Sequence, residues 1–161
     1  MIIRDAAISD VEDLARIYNW AVANTTASFD INRQTIENRL EWFGHYGGRY
    51  PLIVAELDGK VAGYSSLSKF REKEGYAGTV EISVYIDPDY HGKGIGKKLM
   101  EEIVDRGRKL GHHVIVACIT AGNDISVKMH EKMGFEFCGN MKQVGYKFGK
   151  WQDILFYQLT L

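Results

Sequence analysis

The segment His91-Gly92-Lys93-Gly94-Ile95-Gly96-Lys97-Lys98 sets three glycines at alternate positions among lysines. A strand-like run, Thr79–Ile86, precedes it and a helical pattern follows at once. Such a segment can hold phosphate. Glycine lacks the side chain that keeps an anion off the backbone. The unpaired N–H groups of a first helical turn point at the anion, with a partial charge of roughly +0.5 at that helix end. Lys93, Lys97 and Lys98 add full charges. The plainer alternative is a flexible Gly/Lys turn, which has no need of three spaced glycines. Two nucleotide loops fail on spacing. In a Walker loop, His91 would stand where the first glycine belongs and Lys98 where a hydroxyl must bind magnesium. In the dinucleotide fingerprint, Gly94-x-Gly96 leads to Leu99 rather than to glycine.

A second candidate is Glu81, within Val80-Glu81-Ile82-Ser83-Val84-Tyr85-Ile86. A carboxylate is poorly suited to mid-strand. Alternation sends Glu81, Ser83 and Tyr85 to one face and the aliphatic residues to the other. Beside apolar surface the charged form is disfavoured, which moves a carboxyl toward general-base behaviour, directly or through a water. The alternative is a solvated outer-face glutamate. Asp30, Glu56 and Glu74 are assigned surface roles. A third candidate is Lys69-Phe70-Arg71-Glu72-Lys73-Glu74-Gly75-Tyr76, where Arg71 can grip a carboxylate or phosphinate with two parallel hydrogen bonds, and Lys73 and Tyr76 offer further donors. Otherwise it is a charged exposed loop.

The elements that must position these residues follow from periodicity and turn chemistry. Met1–Ala6 reads as a strand. Ser9 with Glu12 forms a capping box ahead of Val11, Leu14, Ala15, Tyr18, Ala21 and Val22 at helical spacing. A weaker helix covers about residues 35–43. Leu52–Leu57, the Asp58-Gly59 turn and Lys60–Leu67 read as a hairpin. The strand Thr79–Ile86 precedes the glycine loop, and a helix then runs to about Leu110 with Gly111 as its stop. Val114–Thr120 is a strand, Ile125–Lys132 a helix ended by Gly134, and Phe135 to Leu161 two or three strands. The order β-α-α-β-β-β-α-β-α-β(β) describes a mixed α/β fold, and 161 residues suit one domain spanning 1–161.

Composition narrows the function classes. Twenty basic residues against 21 acidic leave no charge footprint for nucleic acid. The longest apolar run, Val114–Ile119, is far short of the ~20 residues that cross a bilayer, and no signal-peptide layout is present, so no membrane partner is expected. Two cysteines, Cys118 and Cys138, form no disulfide framework and are read as reduced thiols of a cytoplasmic protein, with Cys118 as a small core hydrophobe. His112 and His113 have no ligand spacing with them, so no metal is expected.

The glycine loop resembles the pyrophosphate loop of the Gcn5-related N-acetyltransferases, Arg/Gln-x-x-Gly-x-Gly/Ala, with His91 in place of the usual Arg/Gln. The element order is similar to that of the same family over essentially the full length. Asn123-Asp124-Ile125-Ser126-Val127-Lys128-Met129-His130-Glu131-Lys132-Met133-Gly134-Phe135 resembles the family segment that lines the coenzyme A arm. Within the family, Asn24–Ala27, Val80–Tyr85, Met129–Glu131 and Lys147–Trp151 look like the phosphinothricin and methionine sulfoximine acetyltransferases.

The resemblance implies acetyl-CoA as co-substrate and direct transfer to the amino group of a small amino acid or analogue in a ternary complex. It implies a sheet that is mixed and mostly antiparallel, with flanking helices. Glu81 becomes the general base. His130 becomes either the acid for the leaving thiolate or a structural helix histidine. Val84, Tyr85 and Ile86 pair with the pantetheine arm, an amide near Val84 facing the thioester oxygen. His91, Gly92, Lys93, Gly94, Ile95, Gly96 and Lys97 form the pyrophosphate cradle. Asn123 either bonds the pantetheine amides or caps its helix, with Ser126 lining the same side. Phe29, Arg71, Lys73 and Tyr76 face the amino-acid substrate. Lys147 and Trp151 close the site or join a dimer contact, and a homodimer is the expected assembly. The competing readings are a protein, peptide or polyamine N-acetyltransferase and a non-catalytic acyl-CoA sensor.

Overall fold

The computed structural model describes all residues from Met1 to Leu161. Strands β1 (Ile2–Asp5), β2 (Leu52–Leu57), β3 (Lys60–Lys69), β4 (Thr79–Ile86), β5 (Val114–Thr120), β6 (Glu136–Lys147) and β7 (Lys150–Thr160) form one seven-stranded sheet. Its order is β1-β2-β3-β4-β5-β7-β6. Only β4 and β5 run parallel, so the mixed, mostly antiparallel sheet that the family resemblance implies is found. Helices α1 (Val11–Asn24) and α2 (Ile36–Phe43) cover one face, and α3 (Ile95–Lys109) and α4 (Asp124–Lys132) the other.

The two-sided cover explains why β2 is a nearly continuous apolar run. Along β2, Ile53 and Ala55 enter the core under α3 with Leu99, Met100 and Ile103, while Leu52 and Val54 enter the core under α1 with Leu14 and Ile17. A strand with helices on both faces has no side left for polar alternation. The Asp58-Gly59 turn has φ of 52° and 76°, the paired left-handed geometry that a two-residue hairpin requires.

The start of α1 differs from expectation. Ser9 and Glu12 form no capping box. Ala7 precedes a short 3₁₀ turn, and its N–H donates to the Asp10 carboxylate at 2.8 Å. Asp10 wins that role because Arg4 grips both its oxygens, at 2.7 and 2.9 Å, and holds its carboxyl below the usual range. The tail forms two long strands, with register shifts near Gly139 and Gly145. Cys118 is likewise not a core residue. It lies exposed on β5, because its side chain turns toward the gap that opens beside β4.

Candidate active site

Strands β4 and β5 pair only at Thr79↔Val114, Val80↔Ile115 and Glu81↔Val116. Beyond Glu81 they separate, while β4 stays paired with β3 as far as Ile86. The Asp87 N–H donates to Ala62 on the β3 side. Alternation therefore turns the backbone groups of Val84 and Ile86 away from β3, into the opening. An unpaired strand edge of this kind accepts an extended chain as an added strand. His91 Nε2 lies 3.1 Å from the Ile86 carbonyl oxygen and its ring meets Trp20 of α1 edge to face, so His91 anchors the base of the glycine loop. Arg16 of α1 pairs with buried Asp87, whose carboxylate accepts the Asp89 N–H at 3.0 Å and so sets the turn before that loop.

In the loop itself, Gly94 is the cap of α3 in the left-handed region, φ 74°. The backbone N–H groups from Gly92 through Lys97 donate to no group of the protein. A Cβ placed on Gly92 or Gly94 would meet nothing within 4 Å, so the concavity in front of these amides is open. Gly96 serves packing instead. Its Cβ would stand 3.3 Å from Met129 Sδ, so the missing side chain lets α3 and α4 close together. An array of free amides at a helix start, with Lys93 and Lys97 beside it, fits a pyrophosphate.

Glu81 faces the gap near the point of separation, and burial raises its carboxyl above the ordinary range, partly offset by a hydrogen bond from the Cys118 thiol. The Cys118 thiol is pushed up to about 12, first by desolvation and then by the Glu81 charge. Cys118 thus lies beside the candidate base, although sequence periodicity assigned it to the core. Its only early signal was its place two residues after Val116, the pairing partner of Glu81.

His130 is 5 % exposed, packed edge to face on Phe135, and its Nδ1 lies 2.8 Å from the Ser126 carbonyl oxygen. A carbonyl can only accept, so Nδ1 carries the proton. Desolvation lowers the pKa, which keeps the ring neutral near pH 7 and leaves Nε2 unprotonated. Ser126 Oγ lies 3.3 Å from the same Nδ1. Asn123 Oδ1 accepts the Ser126 N–H at 3.2 Å, capping α4 and leaving the Nδ2 amide free to donate.

The loop before β4 springs from the end of β3, where Ser68 faces Glu81 across the pair. Arg71 stacks on Phe70 and Tyr76, at 5.0 and 5.7 Å, with no ion pair or side-chain hydrogen bond of its own. Lys73 and Tyr76 are exposed beside it. Opposite, the segment holding Phe29 is tied down by side chains from several elements: Thr120 bonds the Thr26 carbonyl, Tyr85 that of Ala27 and Lys147 that of Ser28. The Phe29 ring packs where a Cβ on Gly145 would stand 2.7 Å away, so β6 needs glycine there. Lys147 is buried in this contact, so of the two C-terminal candidates only Trp151 is exposed.

Between α1, α2, β3 and β4 lies a cavity of about 280 Å³ that no sequence pattern indicated. Asp30, exposed as expected of a surface residue, stands on its rim and accepts from the Tyr18 hydroxyl. A larger depression of about 610 Å³, near Phe43 and Arg106, holds none of these residues.

Residues 14–135 match the acetyltransferase (GNAT) family. The chain is 45% identical to an L-methionine sulfoximine/L-methionine sulfone acetyltransferase of Pseudomonas paraeruginosa, over 99% of this chain and 94% of that protein. A ribosomal-protein-alanine N-acetyltransferase from Brucella melitensis superposes with a TM-score of 0.97 at 42% identity, covering all of both chains. A phosphinothricin acetyltransferase from Sinorhizobium meliloti, solved in complex with acetyl-CoA, superposes at 0.95 with 36% identity over 99% of this chain and 88% of that one. A family match over residues 14–135, with a relative 45% identical over nearly the full length of both chains, shows that this chain belongs to the GNAT family.

Proposed function

We propose that the protein transfers the acetyl group of acetyl-CoA directly to the α-amino group of a small amino acid or analogue of the methionine sulfoximine, methionine sulfone or phosphinothricin type. The observation that carries this reading is the place of Glu81, a desolvated carboxylate where the edge open to the pantetheine arm meets the substrate side of β4. Acetyl-CoA supplies the activated acyl group. Glu81 takes a proton from the incoming ammonium, directly or through a water, and frees the nitrogen lone pair. The nitrogen attacks the thioester carbonyl carbon and forms the C–N bond, with the amide of Val84 directed at the negative oxygen of the tetrahedral intermediate. Its collapse breaks the C–S bond, and the coenzyme A thiolate leaves and takes up the second proton that the nitrogen releases. The high pKa of Cys118 leaves almost no thiolate at pH 7, which favours direct transfer over an acyl-cysteine relay. Neutral His130, its proton on Nδ1, supports a role in shaping α4 rather than in protonating the thiolate. Arg71, Lys73 and Tyr76 receive the acceptor's carboxylate, with Phe29 across from them.

The test is release of free thiol from acetyl-CoA against a panel of amines. Methionine sulfone, methionine sulfoximine and phosphinothricin are expected to exceed simple amines and an alanine-ended peptide in kcat/KM. Preference for the peptide would instead assign a protein substrate.

The assembly we propose is a homodimer through the β6–β7 hairpin. Strand β6 is a sheet edge, and Phe137, Met141, Tyr146, Phe148 and Trp151 are each at least half exposed along this hairpin. Apolar side chains at this density on one edge mark an interface. Sedimentation should give twice the 18.3 kDa chain mass. Trp151→Glu should shift the protein toward monomer, and a wild type that sediments as a monomer overturns the assignment. Two exposed free thiols, Cys118 and Cys138, together with the use of acetyl-CoA, support a reducing, cytoplasmic setting.

A further inference from the structure

Arg39 is the most anomalous charge in the molecule. It is 4 % exposed, yet no carboxylate pairs with it. Its guanidinium carbon lies 3.5 Å from the ring centre of Trp42 and 4.5 Å from that of Tyr18. One terminal nitrogen reaches the Tyr64 hydroxyl at a long 3.4 Å, and the buried Nε–H has no partner at all. A buried cation without an anion is costly, and an orphaned buried donor adds to that cost. Aromatic faces offset part of it but are weak acceptors beside a carboxylate or carbonyl oxygen.

Arg39 forms a wall of the 280 Å³ cavity, whose other walls include Ser68, Ser83 and Tyr85. Ser83 shares the face of β4 that carries Glu81, and Ser68 is the direct cross-strand neighbour of Glu81. The cavity therefore opens beside the base, on the α1–α2 face of the sheet. Asp30 stands on its rim with its carboxylate engaged by Tyr18, and it forms no ion pair with Arg39.

We infer that this cavity is the subsite for the acceptor's side chain, and that Arg39 anchors it by donating to a terminal oxo group. The inference rests on the amino-acid N-acetyltransferase reading above and adds a recognition residue to it. The class of acceptor follows from the walls. Aromatic rings suit a short aliphatic stem and a methyl group, while one buried charged donor demands an oxygen acceptor at the far end. A sulfonyl, sulfoximine, phosphinate or carboxylate terminus satisfies both. A thioether satisfies only the first and leaves the buried Arg39 guanidinium without an oxygen acceptor, the situation in which polar sites discriminate most strongly.

The experiment compares L-methionine sulfone with L-methionine, which differ only in the two sulfonyl oxygens. Wild type should favour the sulfone. Arg39→Met should lose about ten- to a hundred-fold in kcat/KM for the sulfone and change by only a few-fold for methionine, with acetyl-CoA affinity unaltered. An equal loss for both acceptors, or none for either, overturns the inference. A readout on the wild type stands if the variant fails to fold: the ¹⁵N resonance of the Arg39 Nε–H should move on addition of the sulfone in the presence of coenzyme A, and not on addition of methionine. An unmoved resonance overturns the subsite. Failure of the wild type to acetylate any amino acid overturns the reaction itself, whereas activity with discrimination unchanged by Arg39→Met removes only the subsite.

Discussion

Glu81→Gln should lower kcat by about 10²–10⁴ at neutral pH while acetyl-CoA binding persists, the loss expected when a general base is replaced by its neutral isostere. The amide keeps the volume and one acceptor oxygen but cannot take the ammonium proton. Activity of the variant should recover in part at alkaline pH, where more of the amine is already deprotonated. In the wild type, kcat/KM should rise with pH through a carboxyl lifted above its ordinary value by burial. Stability separates this loss from misfolding. A carboxyl whose folded pKa is raised favours the fold below its unfolded pKa, and that contribution is lost as pH rises through the folded value. At pH 7 the ionised Glu81 therefore opposes folding, so the glutamine variant should melt no lower than wild type. An unimpaired kcat at pH 7 would make Glu81 structural, and a lower melting temperature would trace the loss to packing.

That Glu81 stands out as a candidate in the sequence, while Arg39 does not, has a physical reason. Strand β4 advertises its two faces through strict alternation, so a carboxylate there stands out before any partner is known, and the observed strand has the expected bounds, Thr79–Ile86. The turn at Asp58-Gly59 and the stops at Gly111 and Gly134 were legible because left-handed backbone leaves a mark in residue type. Arg39 lies in the eight-residue helix Ile36–Phe43, flanked there by Asn38, Glu37 and Glu41, where an arginine ordinarily faces water. Its burial comes from Tyr18 on α1 and Tyr64 on β3, residues distant in sequence that only the sheet brings together. The one local signal was Trp42 three positions on, the spacing that stacks two side chains on a helix face.

The same limit explains two corrections. Ser9 and Glu12 have the spacing of a capping box, but Asp10 is drawn inward by Arg4 from β1, a contact outside the helix. Cys118 follows an apolar run, yet the partial pairing of β4 with β5 exposes it. Strand separation is set by the whole sheet and leaves no pattern in either strand.

Replacing Gly94 by glutamate should weaken acetyl-CoA binding by at least about a hundred-fold while the protein remains folded. The fold tolerates the change because a Cβ at Gly94 meets no protein atom within 4 Å, and a carboxylate at the start of α3 suits the helix dipole. What the fold bears is the left-handed backbone, φ 74°, which costs a non-glycine residue about 1–2 kcal/mol. Binding suffers for the opposite reason. The new carboxylate occupies the concavity before the free amides of Gly92 through Lys97, takes up the charge of the helix end and repels the pyrophosphate. Charge-assisted hydrogen bonds are worth about 1.5–3 kcal/mol each, so losing even two accounts for the expected fall. Gly94→Ala carries the strain without the charge and should lose much less. S-acetylpantetheine, which lacks the pyrophosphate, should be used equally well by wild type and the glutamate variant. Titration calorimetry with acetyl-CoA reads the first effect, and thiol release from the pantetheine ester reads the second. Unchanged acetyl-CoA affinity would put the pyrophosphate elsewhere. An equal loss with the ester would mean that the substitution had disturbed the β4 edge rather than the cradle.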